Sequence, residues 1–334
     1  MSFGSFLRRH TIKQASLLEG RALHDFIVRV AKPLDALIAA TQRRFETSHP
    51  VFIVGPQRSG TTLFHKCFLE HHQVCGLNQA TDYFPECFLT ADLYFRCIRA
   101  TRATDFLDAF DAKRDLWIRT WKNNGYHYTE GNRVWNKLGP NGKWLSTGDR
   151  AWAMRTVPRM VRRFQRSTGR PLFLSKCPAN SLRIHQLCEL FPGARFIHLQ
   201  RDPRGAVNSM INIHRELGVR SWGPMPVAAD ELVGLTEYEQ VAMQWVAITD
   251  AIGQSLVGIP EERKVVVRYE EFLRDPDGVL DEVVLKFGLE RFQRPLSVKV
   301  RGDRMEGWRQ EIPGEELSRI ERILQSRGHG SALS

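Results

Sequence analysis

Short apolar runs alternate with helical patterns along most of the chain. The first run is VFIV at 51–54, and it is followed by TLFHKCFLEHH, in which apolar residues recur at helical spacing. Further apolar runs stand at 171–175, 194–200 and 264–270, each with a helical pattern after it. Continuous apolar strands that alternate with helices are typical of a parallel sheet covered on both faces. The pattern therefore predicts an α/β fold with a parallel sheet flanked by helices.

Two regions depart from this alternation. Residues 17–47 have helical spacing, so we predict an N-terminal helix within 1–48. Residues 88–170 contain no clear buried strand, and we interpret them as a helical insertion in a single domain that spans 1–334. The insertion is rich in aromatic residues that suit either a ligand-binding wall or a small core of its own. They are Trp117, Trp121, Tyr126, Tyr128, Trp135, Trp144 and Trp152.

The loop after the first strand, GPQRSGTT at 55–62, is typical of an anion-binding loop. Backbone N–H groups and the positive end of the helix dipole converge where a strand leads into a helix. Gly60 permits close approach of the backbone, and the hydroxyls of Thr61 and Thr62 can bind phosphate oxygens. The glycine spacing is that of a Walker A loop, but its lysine is absent and Arg58 is the cation of the loop. The loop predicts a P-loop-type sheet whose ligand is not an ordinary nucleoside triphosphate.

A second candidate phosphate site follows the apolar run at 194–200. Arg201 ends that run, and Pro203 suits the first turn of a helix, which brings Ser209 one to two turns along it. A guanidinium and a hydroxyl so arranged can bind one phosphate together. The alternative is a structural ion pair between Arg201 and Asp202, with Ser209 as an ordinary helix residue. The pairing with the first loop favours a second phosphate site.

These two segments resemble the sulfotransferase superfamily, most closely the branch with tyrosylprotein and bacterial sulfotransferases. The resemblance implies that 3′-phosphoadenosine 5′-phosphosulfate (PAPS) is the sulfuryl donor and adenosine 3′,5′-bisphosphate the product. Lys176, in LSKCP, resembles the family lysine that polarises the transferring sulfuryl group, and Gly307-Trp308 resembles the C-terminal loop that closes on the nucleotide. The residues implied to bind the 5′-phosphosulfate are Arg58, Ser59, Gly60, Thr61 and Thr62, and those for the 3′-phosphate are Arg201 and Ser209.

The resemblance also implies in-line sulfuryl transfer without a metal, to a hydroxyl or amine. Arg58 and Lys176 would stabilise the charge that develops on the leaving phosphate. A general base must take the proton of the acceptor. Related tyrosylprotein enzymes have a glutamate where this chain reads GLNQ, so we choose Asp82, the first carboxylate after that point. Glu86 and His72 are the rivals for this role.

Charge and composition limit the partners. The net charge of +11 suits a polyanionic ligand, a nucleic acid or an anionic membrane surface. The arginines between 155 and 170 fit either a solvated helix face or a contact surface, and no nucleic-acid-binding motif accompanies them, so we expect no nucleic-acid partner. No apolar run is long enough to span a membrane and none resembles a secretory signal, which predicts a soluble cytoplasmic protein. Six cysteines without a CxxC pair predict reduced thiols in the core.

Other functions remain open on the sequence alone. A small-molecule P-loop kinase would need a loop lysine, and a non-catalytic nucleotide-binding protein would bind PAPS without transferring its sulfuryl group. The acceptor itself can be a small molecule, a carbohydrate, a lipid or a peptide, and the insertion at 88–170 is its candidate site.

Overall fold

The computed structural model describes several stretches of the chain, and these divide between two compact units. The first unit comprises Met1–Arg44 with Asn78–His127, and the second comprises Phe45–Leu77 with Tyr128–Ser334. In the first unit, residues 28–41 are helical, and Asp35 Oδ1 accepts the backbone N–H of Leu89 at 2.7 Å. The described residues are 28–42, 46–78, 84–90, 93, 130–139, 143–219, 221, 223–300 and 306–330.

The second unit is built on a sheet of five strands in the order β2-β3-β1-β4-β5, and every pair of neighbours is parallel. This confirms the α/β fold with a parallel sheet. Strands β1 to β3 are buried along their whole length, as their continuous apolar runs predict. The strands are β1 (Val51–Val54), β2 (Val74–Gly76), β3 (Leu172–Lys176), β4 (Arg195–Gln200) and β5 (Lys264–Arg268).

Helices cover both faces of this sheet. In the part of the chain that the structure describes they are α1 (Thr61–Phe68), α2 (Asn132–Trp135), α3 (Thr147–Thr168), α4 (Ile184–Leu190), α5 (Pro203–Leu217), α6 (Glu237–Val257), α7 (Tyr269–Arg274), α8 (Pro276–Lys286), α9 (Trp308–Glu311) and α10 (Gly314–Ser326). Val51 and Ile53 pack with α1, α7 and α8, whereas the Phe52 ring lies on the opposite face, 5.7 Å from Trp135. The two-residue alternation of a strand thus supplies two cores.

Helix α3 falls within the predicted insertion, yet it belongs to the second unit. Its apolar side is buried, and the Phe164 ring lies 6.4 Å from that of Phe173 on β3. The opposite side exposes Arg155, Arg159 and Arg162. The spacing of the arginines between 155 and 170 suited a helix, but it could not show that this helix packs on the sheet.

The described cysteines are free thiols: Cys67, Cys75, Cys87, Cys177 and Cys188. Burial raises the pKa of Cys67 and of Cys75 to about 12, so both stay protonated at neutral pH. Cys67, Cys75, Cys87 and Cys177 are buried in the core, as predicted, whereas Cys188 is half-buried. Among the described helices, none has the length and apolar character needed to cross a membrane.

Candidate active site

Three adjacent strands bring the predicted site residues to one edge of the sheet. Residue Ile53 of β1 is in register with Lys176 of β3, and Val54 is in register with His198 of β4. Because the strands are parallel, the residues that follow them emerge side by side, and open α/β sheets bind ligands at this carboxyl edge. The anion-binding loop, Lys176 and Arg201 are therefore neighbours despite their separation in sequence.

The anion-binding loop is held in shape at its first residue. The Gly55 N–H donates to Ser181 Oγ at 3.0 Å, and the Ser181 hydroxyl donates back to the Gly55 carbonyl at 3.0 Å. A Cβ at position 55 would lie 2.7 Å from the Leu199 carbonyl oxygen, so only glycine fits there. The loop is thus locked against the segment that follows β3.

The loop ends at Gly60, the N-cap of α1. Its φ of 83° lies in the left-handed region, and a Cβ there would overlap the ring of Tyr269. Ser59 is fully buried, and its Oγ has no hydrogen-bond partner among the described residues. A buried hydroxyl without a partner is costly unless a ligand satisfies it. A hydroxyl of this kind at a helix N-terminus fits an oxygen of an anionic ligand.

Arg58 joins the two predicted phosphate segments. Its Nε donates to Ser209 Oγ at 2.9 Å, and Arg201 Nη1 donates to the Arg58 carbonyl at 2.6 Å. The φ of Arg58 is 65°, the one positive value at a non-glycine residue in the described ranges. Such a backbone costs free energy and is common at ligand sites. The structure therefore brings Arg58 of the first motif into contact with Arg201 and Ser209 of the second.

Arg201 is positioned by an aromatic ring as well as by the loop. Its guanidinium lies 4.9 Å from the centre of the Tyr269 ring. Desolvation lowers the pKa of Arg201, while the charges of Tyr269 and Glu270 act in the opposite direction. Arginine stays protonated through such shifts, so it keeps a full positive charge for an anion. Tyr269 was not predicted as a site residue, although it lies within the apolar run at 264–270, directly after β5.

The alternative interpretation, an ion pair between Arg201 and Asp202, is not found in the structure. Asp202 caps α5 by accepting the Arg204 N–H at 2.8 Å, and its carboxylate pairs with the Arg204 side chain. The Arg204 guanidinium in turn lies 4.3 Å from the centre of the Trp308 ring. Arg201 therefore contacts the anion-binding loop and does not pair with Asp202. The Gly307-Trp308 segment packs beside the start of α5.

Lys176 is buried at the end of β3, with two partners at its tip. Its Nζ donates to Thr62 Oγ1 at 2.9 Å and forms an ion pair with Glu130. The lysine side chain is 5% exposed and the glutamate 37%, so the carboxylate is the member of the pair that solvent can reach. Glu130 was not predicted from the sequence, because a single acidic residue beside a glycine in an aromatic-rich stretch carries no recognisable signal.

His65 lies one turn along α1 from Thr62. Burial, the positive charge of Lys176 and that of Lys66, in that order, lower its pKa to about 3. Its Nε2 has no hydrogen-bond partner within the described ranges. His65 is therefore neutral at physiological pH, and the positive charge in this part of the site comes from arginine and lysine.

The three base candidates have different outcomes. Asp82 lies outside the described residues and stays a prediction. Glu86 belongs to the first unit, where its carboxylate pairs with Lys32 at 3.4 Å. His72 Nε2 lies 3.2 Å from the Glu290 carboxylate, just before β2 and hence at the amino edge of the sheet. The structure does not bring His72 to the anion-binding loop.

Comparisons with known proteins identify the family. The profile described as "Sulfotransferase family" matches residues 50–294. The chain is 26% identical over 267 residues to the omega-hydroxy-beta-dihydromenaquinone-9 sulfotransferase Stf3 of Mycobacterium bovis. This match covers 73% of this chain. The same figures hold for the protein of that name from Mycobacterium tuberculosis. The chain spans 64% of the length of these curated relatives.

The chain is also similar to solved structures. The sulfotransferase STF9 from Mycobacterium avium is 19% identical, with a TM-score of 0.48 over 84% of this chain and 76% of its own. The sulfotransferase domain of the Synechococcus PCC 7002 olefin synthase is 16% identical, with a TM-score of 0.46 over 86% of this chain and 98% of its own. The assignment rests on the family profile, which spans the anion-binding loop, Lys176 and the Arg201–Ser209 segment. On that match, the chain belongs to the sulfotransferase family.

Proposed function

We propose that this chain transfers a sulfuryl group from PAPS to a hydroxyl or amine of an acceptor. The observation that carries the proposal is the contact of Arg58 with Ser209 and Arg201, which joins two anion sites beside Lys176. PAPS has a phosphosulfate at its 5′ position and a second phosphate at its 3′ position, so it offers an anion to each. ATP has no 3′-phosphate and leaves the second site unfilled.

The donor would be held by complementary groups on this chain. Ser59, Gly60 and Thr61 lie at the start of α1, where the N–H groups and the buried Ser59 hydroxyl would bind one anion. Arg201 and Ser209 supply a guanidinium and a hydroxyl for the 3′-phosphate. When ligand replaces the Arg58–Ser209 hydrogen bond, Arg58 is free to bridge the two phosphates.

Two cations would do the catalytic work. Bound PAPS supplies an activated sulfuryl group with a phosphate leaving group. Lys176 is almost fully buried, so its charge acts in a low-dielectric site where it is screened little by water. Removal of one such stabilising donor typically costs about 10²–10³ in turnover. Arg58 would add charge from the loop side. Asp82, which the sequence predicts as the base, lies outside the described residues.

A hydroxylated apolar molecule is the acceptor class to test first. The mycobacterial relatives are named for an omega-hydroxy dihydromenaquinone, a hydroxyl on an apolar molecule. We extend only that chemistry, an alcohol on an apolar body, to this chain. Carbohydrate and peptide hydroxyls are the comparison acceptors.

Thermal unfolding with adenosine 3′,5′-bisphosphate and with ATP tests the donor site. A ligand that binds only the native state stabilises it by about 2.7 kcal/mol at a hundred times its Kd. We expect the bisphosphate to raise the Tm and ATP at equal concentration to raise it much less. Arg201→Ala should abolish most of this difference, whereas Arg159→Ala on the exposed side of α3 should not. Equal stabilisation by both nucleotides would instead favour a kinase.

A further inference from the structure

Glu130 is the carboxylate that touches the candidate catalytic lysine. It pairs with Lys176, whose Nζ also contacts Thr62 at the start of α1. Within the described residues, the other candidate bases are engaged elsewhere: Glu86 with Lys32, and His72 with Glu290. We infer that Glu130 is the general base that takes the proton of the acceptor. The inference rests on the proposed sulfuryl transfer.

The backbone holds Glu130 at this point. Gly131 follows it with a φ of 69°, and a Cβ at that position would overlap the side chains of Leu77 and Trp135. Trp135 is fully buried and packs on Phe52 of β1. The residue after Glu130 is thus wedged against the sheet core, which fixes the direction in which the chain presents the carboxylate. A base has to be held within hydrogen-bond reach of the proton it removes.

The surroundings suit proton transfer. A carboxylate accepts hydrogen bonds with two oxygens, so the oxygen not used by Lys176 can bind an acceptor hydroxyl. With 37% of its side chain exposed, Glu130 can both meet a substrate and release a proton to water. His65, another titratable group close to Lys176, is 5% exposed, and its pKa of about 3 makes it a poor base.

The acceptor oxygen forms a bond to sulfur while its proton passes to a Glu130 carboxylate oxygen. The bond between sulfur and the bridging phosphate oxygen breaks, and its electron pair stays on the phosphate to give adenosine 3′,5′-bisphosphate. Lys176 stabilises the negative charge that develops on the departing phosphate. Glu130 then loses its proton to solvent, which restores the carboxylate.

Glu130→Gln separates a base from a group that only positions Lys176. The probes are phenols of graded acidity, from unsubstituted phenol to 4-nitrophenol, with PAPS as donor. An acidic phenol is already ionised and needs no base, so the loss in kcat/KM should be about 10²–10⁴-fold for phenol and small for 4-nitrophenol. The Tm shift with adenosine 3′,5′-bisphosphate should match that of the unaltered protein. Glu189→Gln is the matched control, because Glu189 pairs with Arg150 on α3 and is 30% exposed.

Several results would overturn the inference. Equal losses for all phenols would mean that Glu130 acts only through Lys176. Normal rates in Glu130→Gln, together with an inactive Asp82→Asn, would return the role to Asp82. If Glu130→Gln does not fold, Glu130→Asp should keep partial activity and the dependence on acceptor acidity of the unaltered protein, and its complete inactivity would count against the base. Absence of transfer by the unaltered protein to every acceptor would instead refute the proposed function.

Discussion

The fit of Gly60 against Tyr269 leads to the sharpest structural prediction. Gly60 and Gly218 both have left-handed backbones, with φ of 83° and 64°. A Cβ at Gly60 would overlap the Tyr269 ring, whereas a Cβ at Gly218 meets no atom within 4 Å. Gly60→Ala and Gly218→Ala therefore share one cost, the strained backbone, and differ in the other, the steric overlap.

The magnitudes follow from these two costs. A Cβ in the left-handed region costs about 1–2 kcal/mol, which is all that Gly218→Ala should lose. Overpacking adds about 1–3 kcal/mol, so Gly60→Ala should lose about 2–5 kcal/mol in free energy of unfolding. The Arg201 guanidinium stacks on Tyr269 and restrains the ring from moving aside. The loop at 55–62 must then shift instead, and binding of adenosine 3′,5′-bisphosphate should weaken.

Urea unfolding of both variants, with and without adenosine 3′,5′-bisphosphate, measures these effects. The double variant Gly60→Ala with Tyr269→Ala is the internal check, because it removes the overlap and should lose less than the sum of the two single changes. Equal destabilisation by Gly60→Ala and Gly218→Ala, with unchanged nucleotide binding, would refute this account of the loop.

Three further predictions concern charge and catalysis. Lys176→Ala should lower turnover far more than nucleotide affinity and Arg201→Ala should do the reverse, because Lys176 is assigned to charge that develops in the transition state; loss of nucleotide binding by Lys176→Ala would contradict this. Lys264→Ala is the control, a lysine at the amino end of β5 that pairs with Glu261. Asp82→Asn should retain most of its transfer activity if Glu130 is the base. Steady-state transfer rates of Asp82→Asn, Glu86→Gln and His72→Asn, each compared with the unaltered protein, test this. His65 and His198 have pKa values lowered to about 3 and about 4, chiefly by burial, so the unfolded chain binds protons below pH about 6.5 that the folded chain does not. The free energy of unfolding should fall as the pH is lowered from 6.5 to 4, and each histidine should contribute up to about 1.4 kcal/mol per pH unit. The urea midpoints of His65→Gln and His198→Gln should therefore depend less steeply on pH than that of the unaltered protein.

The sequence predicts the parts of this molecule that depend on local pattern. Apolar runs such as VFIV and ARFIHLQ have no polar face, which only a strand buried on both sides explains, and so the parallel sheet could be inferred. The proximity of Arg58 and Ser209 could then be inferred as well, because the carboxyl ends of parallel strands lie at one edge of the sheet. Both conclusions need the order of elements but no side-chain detail.

What the sequence did not predict depends on contacts between distant residues. Glu130 is far from Lys176 in the chain, and no periodicity marks a carboxylate that reaches a neighbouring strand end. Tyr269 follows β5 as an ordinary aromatic residue, and its role emerges only when β5 pairs with β4 and turns the ring toward Gly60. The predicted insertion at 88–170 included α3 because helical spacing identifies a buried side but not the surface that covers it.

The central claim is that this chain moves a sulfuryl group from PAPS to an acceptor. The direct measurement is transfer of ³⁵S from labelled PAPS to a panel of alcohols, phenols and amines, with a hydroxylated prenylquinone first, in the presence and absence of a chelator. We predict that label enters an acceptor at the same rate with the chelator, and that Lys176→Ala abolishes most of this transfer. Binding of PAPS without transfer of label to any acceptor, or transfer of the γ-phosphate of ATP to the same acceptors, would contradict the claim.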